Sequence, residues 1–287
     1  MYTYITPSSV PNLHRGSDTS IRGLASTGLV NRFPDAAPHE AIVEWFPRLD
    51  IDGFELGIGR VWDTARVEHD LSEAGLSFAT AHADKRIGAE LLEDPRAALA
   101  ELERNCQLAA ALGATIMAFH LWELPVGDRL LDQNLALLPE CLDVADSAGV
   151  TLAVETIPCS VGTPLQNVHR ALERDDRCRA TLDTEFLARA GQLDAAIADD
   201  GLWERLVHIH VKDYAGSLRD ERGARRYLIP GEGGIDFEAF FAALRRRNYQ
   251  GALTLEVSAV TPEGTVDEQR FRQAEAWLQS RPWLHPV

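Results

Sequence analysis

Short apolar, β-prone runs alternate along the chain with longer stretches in which apolar residues recur every three or four positions. The runs are IRGLAST (21–27), GFELGI (53–58), SFATAHA (77–83), TIMAFHL (115–121), TLAVETI (151–157), RATLDTE (179–185), LVHIHVK (206–212) and ALTLEVS (252–258). Several are almost continuously apolar, the pattern of strands buried on both faces. The stretches between them, such as 95–113 and 131–149, have helical periodicity and end in Gly113 and Gly149. The same helix stop is expected at Gly75 and Gly251, and Pro38 and Pro95 suit early helix positions. Alternating strands and helices predict a parallel sheet. Eight such units predict a closed (β/α)8 barrel, with an open doubly wound sheet as the alternative. No GxGxxG pattern follows the first strand, which disfavours the dinucleotide-binding version of that alternative. Residues 1–20 read as an irregular polar segment, and residues 1–287 as a single domain.

The length of 287 residues suits one eight-fold barrel, which typically takes about 250. A formal net charge of −16 disfavours nucleic acid as a partner and suits a small substrate or a bound cation. The four cysteines form no CxxC pair; Cys106 and Cys141 fall inside expected helices and read as small core residues of a reducing compartment. The start of the chain carries no basic-then-apolar leader, and no apolar run reaches the length of a membrane span. These features predict a cytoplasmic protein without a membrane partner. The basic residues are 26 Arg and two Lys, Lys85 and Lys212; Lys85 follows one expected strand and Lys212 closes another.

In such a barrel the chemistry gathers at the C-terminal ends of the strands. Polar residues close seven of the eight runs: Glu55; His82, then Asp84 and Lys85; His120, then Trp122 and Glu123; Glu155; Asp183 and Glu185; His208, His210, Lys212 and Asp213; and Glu256. A carboxylate or imidazole within an apolar strand is costly unless paired or bound to a cation. Any one of these is as readily structural as functional. Their convergence at one end points to a metal-binding or acid–base site.

HIHVKD (208–213), followed by PGEGGIDF (230–237), together with AVETIP (153–158), TLDT (181–184) and LTLEV (253–257), resembles the xylose isomerase-like TIM-barrel superfamily of sugar isomerases and epimerases. The likeness spans roughly residues 20–280 and implies a single (β/α)8 TIM barrel. It also implies that Glu155, Asp183, His210 and Glu256 bind one divalent metal ion, and that members often form homodimers or homotetramers. Such a hard, mostly oxygen donor set favours Mn²⁺, with Mg²⁺, Co²⁺ or Zn²⁺ as substitutes. His208 turns to the same side as His210, one step deeper, as a core histidine or a partner behind the ligands. One position departs from the family pattern: Phe186 stands where many members carry a His. The departure argues against a three-zinc endonuclease site and removes a polar contact used by ketose 3-epimerases.

The resemblance implies a sugar or polyol substrate, epimerised or isomerised through an enediolate, with Glu155 and Glu256 as the proton-transfer pair. His82, His120, Lys212, Trp122 and Glu55 are the expected substrate contacts, Trp122 either as an apolar wall or packed under a loop. Lys212 either touches substrate or orients Asp213. Within residues 214–229, Arg219, Arg222, Arg225 and Arg226 offer a cation for a phosphate or carboxylate, or simply a solvated loop. The alternatives are an inosose-type dehydratase, an abasic-site endonuclease and a non-catalytic sugar-binding protein.

Overall fold

Each of the eight apolar runs contains one β-strand of the computed structural model, which describes residues 21–32, 39–51, 53–124 and 127–281. Pro38 and the segment 1–20 lie outside the described residues. The strands are β1 (Arg22–Ser26), β2 (Phe54–Gly57), β3 (Thr80–His82), β4 (Ile116–Phe119), β5 (Thr151–Glu155), β6 (Arg179–Asp183), β7 (Leu206–Val211) and β8 (Ala252–Leu255). They pair in sequence order, and β8 closes on β1, giving a closed barrel. Every pairing is parallel.

The helices are α1 (Glu40–Trp45), α2 (Thr64–Glu73), α3 (Ile87–Glu90), α4 (Pro95–Ala111), α5 (Leu131–Ser147), α6 (Pro164–Arg174), α7 (Thr184–Arg189), α8 (Leu193–Ala198), α9 (Asp200–Trp203), α10 (Phe237–Arg246) and α11 (Glu268–Gln279). Among the described residues, no helix is long and apolar enough to cross a membrane. Starts and stops are local in origin. Asp94 and Thr163 cap α4 and α6 by accepting N–H bonds from Ala97 and Gln166, and Pro95 opens α4. Gly113 and Gly149 follow α4 and α5 with φ of +94° and +73°, a backbone that a side chain disfavours. The expected stop at Gly251 is different. Past α10 the left-handed position is Asn248, at φ +50°. Gly251 lies just before β8, where a Cβ would come within 2.6 Å of the Val207 carbonyl oxygen. Asn tolerates that conformation through its short polar side chain, so the helix end moved while the strand start kept its glycine.

Alternation divides each strand into an outer and an inner row. The outer row, which includes Leu56, Met117, Phe119, Leu182, Ile209 and Leu253, is buried among apolar residues of the helices. The inner row is unusually polar: Glu55, Thr80, Thr181, His208 and Thr254 are all buried. Register fixes their levels. His208 pairs across to Thr181 and Ala252, and His210 to Asp183 and Thr254. A shift between Ala180 and Thr181 adjusts β6 so that Asp183 comes level with His210.

Candidate metal and substrate site

Four strands deliver the central cluster. Glu155 and Asp183 end β5 and β6, His210 sits one residue before the end of β7, and Glu256 directly follows β8. Each offers a ligand atom, all four atoms lie within 4.8 Å of one another, and all four residues are buried. Three carboxylates this close repel unless cations or protons intervene.

The surrounding side chains hold each member in a fixed pose. Asp183 caps α7: its Oδ1 accepts the Phe186 N–H at 2.8 Å, which turns Oδ2 toward the cluster. Its own N–H donates to Thr156 Oγ1 at 2.8 Å. Glu155 Oε1 lies 2.8 Å from His210 Nδ1, and its Oε2 lies 2.8 Å from His120 Nε2 and 3.1 Å from His82 Nε2. The far nitrogen of His210, Nε2, lies 2.9 Å from Glu55 Oε2. That carboxylate therefore fixes the imidazole with Nδ1 toward the cluster, as carboxylates behind metal-binding histidines commonly do. Lys212 Nζ lies 2.6 Å from Asp183 Oδ2 and 2.5 Å from Glu256 Oε2. The Thr184 hydroxyl seats it, spanning the Lys212 N–H at 3.0 Å and the Lys212 carbonyl at 2.7 Å.

Burial raises every carboxylate here, and the local cations decide which ones recover. For Glu55, burial is outweighed mainly by His210, which brings it down to about 2. Glu155, likewise buried, is drawn well below the usual range by His210, with His120 and His82 assisting. His210 in turn overcomes burial through Glu55 and Glu155 and is held well above an ordinary imidazole. His208 falls to about 3 and His120 to about 4, burial being the main cause in both. Asp183 goes the other way. Burial, with repulsion from Glu155, Glu185 and Glu256, exceeds the pull of Lys212 and lifts it to about 7.

Buried side-chain atoms without a hydrogen-bond partner include Glu55 Oε1, His120 Nδ1, Asp183 Oδ2 and His208 Nδ1, all within this cluster. Asp183 Oδ2 meets the Lys212 ammonium as an ion pair without a well-directed hydrogen bond. Buried groups in that state call for a further partner. A set of three carboxylates and one imidazole fits a hard divalent cation.

A family model described as the xylose isomerase-like TIM barrel matches residues 43–284. The chain belongs to this family. Among solved structures, the xylose isomerase-like barrel is similar to the apo form of the 3-keto-D-glucoside 4-epimerase YcjR from E. coli. That pair has a TM-score of 0.65 and 21% identity, over 91% of this chain and 100% of the other. It is also similar to a D-psicose 3-epimerase from Clostridium cellulolyticum H10, with TM-score 0.67, 15% identity and coverage of 93% and 100%. A xylose isomerase domain protein from Alicyclobacillus acidocaldarius gives TM-score 0.67, 19% identity and coverage of 92% and 98%. At these identities the likeness establishes the barrel alone. A sequence search of curated proteins gives no significant match.

Above the cluster of this xylose isomerase-like barrel lies a cavity of about 510 Å³. Of the expected substrate contacts, Glu55, His82, His120 and Lys212 line it, as do Glu155 and Glu256, and so does Lys85. Glu55 lines it from beneath, with Oε2 taken by His210 and by His208 at 3.2 Å. It therefore serves as a support for the imidazoles through Oε2, while its Oε1 is buried without a hydrogen-bond partner. His208 is that kind of support too, its Nε2 also lying 2.8 Å from Thr254 Oγ1. Trp122 does not line the cavity: it is fully buried and donates its indole N–H to the Pro158 carbonyl at 3.1 Å, which leaves the packing role. Asp213 is not oriented by Lys212. Its carboxylate accepts N–H bonds from Tyr214, Gly231, Gly233 and Ile235 at 2.7, 2.8, 2.8 and 3.0 Å, folding the long β7–α10 connection back onto β7. Asp213→Ala is expected to leave these part-buried donors without their shared acceptor and lower stability by about 1–3 kcal/mol, read as a shift in the urea midpoint. An unchanged midpoint would show that the connection holds itself.

The Arg-rich segment contributes Arg225 to the cavity wall, where both ends of its guanidinium pair with Glu185. Arg219, Arg222 and Arg226 do not line it. The residue that sequence reading missed is Arg32, which follows β1, the one strand given no polar end. Its Nη1 lies 2.8 Å from Glu256 Oε1, and its guanidinium stacks over Tyr227 at 4.1 Å. Phe186 lines the cavity with its ring 4.6 Å from Lys212 Nζ, so an apolar face and a cation–π contact stand where the resemblance leads one to expect a histidine.

Proposed function

We propose that this protein is a divalent-metal-dependent isomerase or epimerase of a sugar-like substrate, with Glu155 and Glu256 exchanging a proton with carbon. The observation that carries the reading is the buried Glu155–Asp183–His210–Glu256 set, of which Glu155 and Glu256 line a sugar-sized cavity. Mn²⁺ best suits these donors. When bound, the ion supplies positive charge that offsets an enediolate's negative charge and raises the acidity of the C–H beside a carbonyl.

The chain's own groups divide the remaining work. Glu155 is held by three imidazoles and stays ionised, ready to accept a proton. Glu256 reaches the same space from β8, three strands away round the ring, and is kept ionised against burial by Lys212 first, then Arg32 and Lys85. Carboxylates on different sides of a planar intermediate deliver protons to different faces, which epimerisation requires. His82 and His120 are edge-on neighbours with ring centroids 4.8 Å apart, and both line the cavity where hydroxyls would sit. Structurally similar proteins that are epimerases fit this reading.

The test is a screen of ketoses, aldoses, their oxidised acids and their phosphates with Mn²⁺ in ²H₂O. The expected product has unchanged heavy-atom composition and one deuterium on carbon. Loss of water in the product would instead assign a dehydratase, and no turnover with any metal would reject the reading.

A further inference from the structure

Glu256 is the shared anion of three cations. Lys212 faces its Oε2, while Arg32 and Lys85 both face Oε1, at 2.8 and 3.5 Å. The other cations of the cavity wall face other carboxylates: Arg225 pairs with Glu185, and Arg86 holds both oxygens of Asp84 at 3.2 and 3.1 Å, with Arg60 3.7 Å from the same carboxylate. Arg32 is built in. Its side chain is 10% exposed, it lies over Tyr227, and a Cβ at Gly28 would come within 2.8 Å of its Nη1. Lys85, in contrast, is 48% exposed and stands at the rim.

We propose that the substrate carries a carboxylate, and that Arg32 together with Lys85 receives it at the mouth of the cavity. The inference rests on the metal-dependent reading above. Four carboxylates (Glu55, Glu155, Asp183 and Glu256) share the site with three side-chain cations (Arg32, Lys85 and Lys212). With a divalent ion present and His210 neutral, as ligation requires, one positive charge is left over. A carboxylate carries the matching single negative charge. Glu256 already shows the pocket's affinity for that group, since its Oε1 is held between the guanidinium and the ammonium. Arg32, fixed in a stack, presents a planar donor fork suited to a planar carboxylate.

A phosphate is disfavoured by the neighbouring backbone. Barrels of this type often hold phosphate on N–H groups of the loops after the seventh and eighth strands. Here the N–H groups of Gly231, Gly233 and Ile235 are occupied by the carboxylate of Asp213.

Three acyclic six-carbon probes of the same configuration differ only in the group at C1: D-sorbitol, D-gluconate and D-sorbitol 1-phosphate. Each is titrated calorimetrically into the full chain, with and without Mn²⁺, so that a failure to bind metal is seen separately from a failure of anion selection. With Mn²⁺, gluconate is expected to bind at least about tenfold more tightly than sorbitol and more tightly than the phosphate. Arg32→Met is expected to bring gluconate to within about threefold of sorbitol, both measured on that variant. Lys85→Met, at a half-exposed position on the rim, is expected to reduce the preference at least about threefold. Equal binding of the three probes overturns the proposal. So does tighter binding of the phosphate, a preference that survives Arg32→Met, or, should that variant not fold, a preference unmoved in Lys85→Met.

Discussion

Glu155→Gln and Glu256→Gln are each expected to lower kcat by about 10²–10⁴-fold, because each removes one of two groups that exchange a proton with carbon. The two losses differ in origin. At position 155 the amide keeps the shape but gives His82, His120 and His210 a weaker acceptor, so the imidazole cluster loses its anchor. At position 256 it leaves Lys212, Arg32 and Lys85 around a neutral group. Unpairing buried charge costs about 3–5 kcal/mol, so Glu256→Gln is also expected to destabilise the fold more than Glu155→Gln. Rates come from deuterium wash-in with the substrate found by the screen, and stabilities from urea unfolding. Near-normal exchange in both variants would remove the two glutamates from the chemistry.

The second large effect is on pH and metal. Asp183 is lifted to about 7 by burial and by its carboxylate neighbours. His210 is held protonated by Glu55 and Glu155, which overcome its burial. A cation at this site must displace a proton from each. Because both values lie above those of ordinary carboxylates and imidazoles, protons win as the pH falls. Affinity for Mn²⁺ is therefore expected to drop at least about tenfold per pH unit below pH 7. Calorimetry in buffers of different ionisation enthalpy should show proton release on binding. Affinity that stays level from pH 8 to about 5.5, with no proton release, would contradict the protonation pattern assigned to the metal-free site.

The barrel was legible because its strands are buried on both faces, so that each apolar run encloses the strand observed. The central cluster was legible for a related reason: ionisable residues in such strands are rare, and alternation sends residues 208, 210 and 212 to one side. What escaped was whatever depends on a turn or on partners remote in sequence. Arg32 lies six residues past β1, beyond the short helical turn Thr27–Leu29, so no strand periodicity points it at Glu256. The bridging position of Lys212 depends on the register that brings β6, β7 and β8 level. Trp122 and Asp213 sit at the same strand ends as the cluster, yet one donates to Pro158 and the other closes a loop. Position along a strand shows which residues reach the mouth, whereas hydrogen-bond partners decide which of them stay free to act there.

The most direct test of the account is metal stoichiometry and affinity, measured by elemental analysis and Mn²⁺ titration of the intact chain and of its Asp183→Asn and Glu256→Gln variants. One tightly held divalent ion per chain is expected, with affinity at least about tenfold weaker in each variant. Absence of stoichiometric metal in the intact chain, or affinity unchanged in both variants, would contradict it.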